Sequence, residues 1–162
     1  MNLFEKVFRE LNKKKIKYLV VGGVAVNLYG YSRFTGDIDI LVALSPDNLK
    51  KIDRIMKEMG YVERLPISIT VLGDKKKLEN FMKKKSLKAY TYISSHNPQL
   101  DIDIIVGESL RFDNFKENET IIKVWNIQLP VISIDDLIKM KKRAGRDNDL
   151  LDLKALLEIK NL

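Results

Sequence analysis

The tetrapeptide Asp-Ile-Asp-Ile occurs twice in this chain, at 37–40 and at 101–104, each time embedded in aliphatic residues. The stretches 37–43 (DIDILVA) and 100–106 (LDIDIIV) read as β-strands, whose successive side chains point to opposite faces. Asp37 and Asp39 then share one face while Ile38 and Ile40 enter the core behind them, and Asp101 and Asp103 repeat the arrangement against Ile102 and Ile104. A single Asp-x-Asp is ordinarily a solvated pair at a strand edge; two copies are harder to dismiss. If the strands are neighbours, three or four carboxylates converge on one spot, and like charges held that close repel unless a proton or a cation lies between them.

The rest of the composition narrows what such a cluster does. The chain has no cysteine and one histidine, His96, which excludes disulfide frameworks, zinc fingers and thiol nucleophiles. Carboxylates and lysines must carry any chemistry. Oxygen donors without nitrogen or sulfur partners select magnesium or manganese, and carboxylates bridging two such cations are the apparatus of two-metal phosphoryl transfer. A lone histidine in a loop is given no role.

With 162 residues, 45% of them hydrophobic, the chain is expected to form a single domain, residues 1–162, large enough to fold without staples. No apolar run reaches the roughly 20 residues of a membrane helix, and the start of the sequence lacks a signal-peptide layout. A soluble, cytoplasmic protein with no membrane partner is the expectation. Lys and Arg total 29 against 22 acidic residues, a net charge of +7, which favours phosphate-bearing partners such as nucleotides or RNA. Each basic cluster taken singly (Lys13 to Lys15, Lys75 to Lys77, Lys83 to Lys85, Lys141 to Arg143) reads as solvated surface.

Apolar periodicity predicts helices over 2–13, 46–59, 75–85, 135–144 and 147–159, the last with Leu150, Leu153, Leu156 and Leu157 inward. Strands are predicted at 16–21, 37–43, 86–94, 100–106, 120–124 and 127–132, with shorter ones at 61–63 and 67–72 and a turn at Asn97-Pro98. Trp125, Tyr90 and Tyr92 are read as packing residues rather than base-stacking platforms. The sum is an α/β (α+β) protein, a small mixed β-sheet flanked by helices with a helical C-terminus. Gly22-Gly23 ends the first strand just before a short apolar helix, where bare backbone N–H groups can approach phosphate oxygens. By itself Gly-Gly more often marks a tight turn, and neither a Walker A loop nor a dinucleotide fingerprint is present.

Taken together, VVGGVAVNLYGYSRFTGDIDILV (20–42) resembles the signature of nucleotidyltransferases of the DNA polymerase beta superfamily: an apolar strand, Gly-Gly, about ten residues, then Asp-x-Asp, followed later by an aspartate on a second apolar strand. Arg33-x-Thr35-x-Asp37-x-Asp39 is similar to the small prokaryotic branch with AbiEii-type toxins and lincosamide-type transferases. So is SIDDLIKMKKRAGRDNDLLDLKALLE (133–158), where Lys141, Ala144, Gly145, Arg146, Asp149 and Asp152 occupy motif places. Val24 stands where many members have a serine-like donor, and Asn148 where lysine is usual.

The resemblance implies the nucleotidyltransferase fold and magnesium-dependent transfer of a nucleoside monophosphate from an NTP to an acceptor hydroxyl. It assigns Asp37 and Asp39 as metal ligands and gives the acceptor's proton to a carboxylate of the second strand, Asp103 in preference to Asp101, both being metal candidates. Gly22 and Gly23 meet the triphosphate, while Arg33 and Lys141 neutralise its charge. Arg146 either does the same or pairs with Asp149 and Asp152, the pairing being preferred. The acceptor (small molecule, RNA or protein hydroxyl) stays open, as does an antitoxin partner. Two other readings remain: a catalytically silent nucleotide- or metal-binding module or toxin–antitoxin component, and a basic RNA-binding protein governed by 75–85.

Overall fold

The structure is a computed structural model that describes residues 1–85, 88–94 and 100–162. His96, Leu87 and the turn at Asn97-Pro98 lie outside the described residues. In chain order the described elements are α1 (Leu3–Lys13), β1 (Tyr18–Val21), α2 (Gly22–Leu28), β2 (Asp37–Val42), α3 (Pro46–Glu58) and β3 (Tyr61–Glu63), then a 3-10 turn (Ile69–Gly73) and α4 (Lys75–Lys85). They continue with β4 (Ala89–Ser94), β5 (Asp101–Ile105), α5 (Phe112–Lys116), β6 (Thr120–Val124), β7 (Ile127–Val131), α6 (Ile134–Ala144) and α7 (Asp147–Lys160).

The seven described strands form one mixed sheet in the order β3-β4-β5-β2-β1-β7-β6. β2 and β5, which carry the two acidic repeats, are adjacent and parallel, with Asp37 opposite Asp101 and Asp39 opposite Asp103. β1 runs antiparallel to β2 and places Val21 opposite Asp39, while β4 runs antiparallel to β5 and places Thr91 opposite Asp103. Residues opposite one another in a ladder point to the same side. One row across four strands therefore holds Thr91, Asp103, Asp39 and Val21, and the neighbouring row holds Tyr92, Ile102 and Ile38. That second row is core: all three residues are fully buried, and the Tyr92 hydroxyl reaches across to Asp53 of α3 at 2.8 Å. Tyr90, at 3% exposure, lies on the same face of β4, which confirms both tyrosines as packing residues.

Local signals explain most element ends. Ser45 caps α3 ahead of Pro46, Ser133 caps α6 by accepting the Asp136 N–H, and Gly145 closes α6 in the left-handed conformation at φ +63°. Trp125 and Asn126 join β6 to β7 with both φ values positive, the backbone a two-residue hairpin requires.

Two expectations are corrected. Residues 67–72 form no strand: Ser68 accepts the Thr70 N–H and starts the 3-10 turn instead, a local side-chain bond competing with the ladder. The short α5 has too few residues for periodicity to reveal it. In α7, Leu156 is buried but Leu150 and Leu157 are 53% and 39% exposed. The inward positions of that helix are instead taken by Asp149 and Asp152, at 1% and 0% exposure.

Candidate active site

The site forms where β1 ends and β2 and β5 begin. Val21 passes directly into α2, whose first residue, Gly22, has φ +65°. A Cβ built on Gly22 would lie 2.1 Å from Oδ2 of Asp39, so the aspartate sits against bare backbone. At Gly23 the same test meets Thr35 Oγ1 at 2.7 Å and Arg33 Nη2 at 3.0 Å. The glycine pair thus opens the first turn of α2 while the loop before β2 folds back over it. Both glycines are helical rather than a turn preceding the helix.

All four aspartates lie on one face, but not equally close. Asp39 and Asp103 stand opposite each other in the β2–β5 register, with their side chains close enough to interact. The Asp39 carboxyl is pushed up to about 7, first by burial and then by the charges of Asp103 and Asp37, with Lys141 pulling the other way. Asp37 is raised as well, through burial and the charges of Asp103 and Asp101, against the opposing effect of Arg64. Asp103 also accepts a 2.6 Å hydrogen bond from Thr91 Oγ1, which fixes its carboxylate. Asp101, one step further along each strand, is bound by Arg64 Nη2 at 3.0 Å, and its Oδ1 is enclosed without a hydrogen-bond partner.

Among the described residues no three His, Cys, Asp or Glu side chains are gathered into a metal-holding group. Asp39 and Asp103 come together; Asp37 and Asp101 share their face without completing a cage. The donor chemistry nevertheless fits a hard divalent cation. Burial and neighbouring carboxylates make the charge on Asp39 costly, all donors are oxygen, and the Asp101 Oδ1 on the same face has no hydrogen-bond partner. A divalent cation at this position would replace the Asp39 proton.

Behind the glycines lies a buried ion network. Arg33 binds Asp152 in a two-pronged contact, Nε to Oδ1 at 2.7 Å and Nη2 to Oδ2 at 2.8 Å. Lys141 bridges Asp152 at 2.9 Å and Asp149 at 3.1 Å, and Arg146 Nε holds Asp149 at 2.7 Å. Arg33 and Lys141, expected at the phosphates, are therefore each already bound to a carboxylate. Arg146 pairs as expected with Asp149, whereas Asp152 is taken by the other two cations.

Sequence reasoning missed Thr91 and Arg64. In the sequence Thr91 is one residue of the strand predicted at 86–94, and only the register with β5 puts it opposite Asp103. Beside them is a cavity of about 40 Å³ lined by Arg64, Leu65, Phe81, Ala89, Tyr90 and Thr91. It has room for water and none for a nucleotide.

A family model described as "Nucleotidyl transferase AbiEii toxin, Type IV TA system" matches residues 7–162. No curated protein matches the chain by sequence. Among solved structures, the lincosamide antibiotic adenylyltransferase LnuA, lincomycin-bound, superposes with a TM-score of 0.64 at 16% identity, over 96% of this chain and 95% of that one. A putative nucleotidyltransferase from Thermotoga maritima gives 0.58 at 15% identity over 96% and 91%. ANT(2")-Ia in complex with adenylyl-2"-tobramycin gives 0.59 at 11% identity over 95% and 85%. At these identities the likeness establishes a shared fold.

Proposed function

The chain belongs to the AbiEii family of nucleotidyl transferases, and on that premise we propose that residues 1–162 act as one domain that moves a nucleoside monophosphate from an NTP to an acceptor hydroxyl. The observation that carries this reading is the in-register contact of Asp39 with Asp103 beside the Gly22 backbone. Asp103, oriented by Thr91, takes the proton of the acceptor hydroxyl. The freed oxygen attacks the α-phosphorus, a new P–O bond forms, and the bond to the bridging oxygen of the β-phosphate breaks, so that pyrophosphate leaves with that electron pair. Gly22 and Gly23 receive the triphosphate where no side chain obstructs it, and Arg33 and Lys141 supply positive potential from behind. Magnesium, or manganese in its place, would be held by Asp37, Asp39 and Asp103 with Asp101 nearby, and supplies charge neutralisation for the phosphates.

Arg64 borders Asp101, and the chain carries a net charge of +7. That balance favours a phosphate-bearing acceptor such as RNA over a neutral small molecule. The family's description as a toxin of a type IV toxin–antitoxin system makes an antitoxin the second proposed partner. No described helix is long and apolar enough to cross a membrane, in keeping with work in the cytoplasm.

The test is label transfer from each of the four NTPs, with magnesium, to total RNA, protein extract, lincomycin and tobramycin. Wild type labels one class of acceptor and Asp39→Asn does not. Nucleotide binding without transfer to any of them would indicate the silent module. Salt-sensitive RNA binding indifferent to Asp39→Asn would indicate a basic RNA-binding protein.

A further inference from the structure

The chain carries six phenylalanines, six tyrosines and one tryptophan, and every one of these rings but one is buried or half-buried. The exception is Phe34, 89% exposed, in the loop that joins α2 to β2. A single apolar residue at a surface needs no explanation, but a ring held still in solvent can bind without first being ordered. Phe34 is held still. The Arg33 guanidinium grips Asp152 of α7 through Nε and Nη2 and donates from Nη1 to the Phe34 carbonyl at 2.8 Å. The Arg33 N–H donates to Asn27 Oδ1 at 3.2 Å, and Thr35 Oγ1 donates to the Asp37 carbonyl at 3.3 Å.

The same contacts decide where the ring stands. Arg33 and Thr35, on either side of Phe34, both turn to Gly23, coming within 3.0 Å and 2.7 Å of the point a Cβ would occupy there. The Phe34 ring folds back over Gly36, with Cε1 and Cζ each 3.7 Å from where a Cβ on that residue would lie, and Gly36 leads directly into Asp37. Thr91, Asp103, Asp39 and Val21 form one row across the sheet, so the acceptor's proton is taken towards β5 and the glycines close the β1 end. The loop is tied to the β1 end, where the donor's phosphates are received.

We infer that Phe34 is a stacking platform for the base of the donor nucleotide. A nucleoside triphosphate is ionic along its phosphates and apolar over the two faces of its base, and the bare backbone at Gly23 adjoins a loop that presents one open aromatic ring. Tyr90 and Tyr92, the other rings on the strands of the site, are in the core at 3% and 0% exposure. Stacking on a ring without hydrogen-bonding groups tolerates any base, so Phe34 adds affinity for all four NTPs rather than selecting one. This rests on the nucleotidyl-transfer reading and adds to it the residue that holds the base.

Two probes with magnesium separate base from phosphate: α,β-methylene-ATP, whose carbon bridge replaces the bond that breaks, and inorganic tripolyphosphate, which has no base. Calorimetry on the full chain should show Phe34→Ala weakening the analogue about five- to hundredfold, the range for loss of one base–aromatic stack. Tripolyphosphate affinity and melting temperature should stay as in wild type, and Phe34→Tyr should bind the analogue as wild type does. In transfer assays Phe34→Ala should raise KM for the NTP and keep kcat. Equal affinity of wild type and Phe34→Ala for the analogue, in a wild type that transfers nucleotide, overturns this inference and leaves the reaction standing. Parallel loss of both probes, or a raised KM for the acceptor alone, overturns it as well. A wild type that binds neither probe and transfers no nucleotide overturns both readings. Should Phe34→Ala not fold, Phe34→Trp decides: the analogue should quench the emission it adds to that of Trp125, tripolyphosphate should not, and unquenched emission refutes the stack.

Discussion

Gly22 and Asp39 occupy each other's space: a β-carbon on the glycine would stand 2.1 Å from the aspartate's Oδ2. The backbone at Gly22, with φ +65°, is also one that a side chain disfavours. Gly22→Ala should therefore destabilise the protein by about 1–3 kcal/mol and, because Asp39 must move aside, lower nucleotide transfer by roughly a hundredfold or more. Gly23→Ala meets only the side chains of Thr35 and Arg33, which can shift, so its loss should be smaller. Paired melting curves and transfer rates decide, and wild-type activity in Gly22→Ala would show that Asp39 is not needed where it stands.

The acidic face is a stability cost accepted for function. Burial, and then the charges of Asp103 and Asp37, raise the Asp39 carboxyl to about 7, whereas in an unfolded chain it titrates near 4. The folded protein thus binds this proton more tightly than the unfolded chain does. The stabilisation is complete below pH ~4 and disappears as pH rises through about 7. In chelator, urea unfolding of wild type should show stability falling from pH 5 to pH 8, and Asp39→Asn should flatten the fall and be the more stable protein at pH 8. Magnesium should raise the wild-type melting temperature at pH 8 and leave that of the variant alone. A variant less stable than wild type at pH 8 would contradict this account.

Asp101 and Asp103 look interchangeable in the sequence and are separated by their neighbours. Asp103 faces Asp39 and is oriented by Thr91, whereas Asp101 is bound to Arg64. Asp103→Asn should cost roughly a hundredfold or more in kcat, the range for loss of a proton acceptor, and Asp101→Asn less than about tenfold. Thr91→Val should lower kcat with little change in KM for the nucleotide, and Thr91→Ser should restore it. The reverse order for the two aspartates would move the proton acceptor one step along β5.

The acidic repeats are legible because alternation in a strand is a local property, which by itself puts Asp37 with Asp39 on one face of β2 and Asp101 with Asp103 on one face of β5. That β2 and β5 are neighbours, in register, is a long-range fact that no local period contains. The same limit explains Thr91 and Arg64, whose meaning depends on partners 12 and 37 residues away. α7 misled for another reason. Leucine spacing suggested a wholly apolar inward face, but Asp149 and Asp152 are buried beside Leu156, because Lys141 and Arg33 reach them from other elements. Hydrophobic periodicity has no means of registering a charge whose counter-ion lies elsewhere in the chain.

Asp152 is the hub of that hidden network, its side chain fully enclosed and holding both Arg33 and Lys141. Asp152→Ala leaves an enclosed lysine short of a counter-ion, and removal of one partner from a buried pair costs about 3–5 kcal/mol. The double variant Asp152→Leu/Lys141→Met removes both charges and restores apolar contact. It should recover much of the loss, since Arg33, at 26% side-chain exposure, can turn to water and Asp149 keeps Arg146. Urea unfolding of the wild type, Asp152→Leu, Lys141→Met and the double variant gives the coupling directly. The loop before β2 should nonetheless remain displaced in the double variant, because nothing then anchors Arg33 against Gly23. Its KM for nucleotide should accordingly stay high while its stability returns. Recovery of both together would mean that Arg33 finds its place without Asp152.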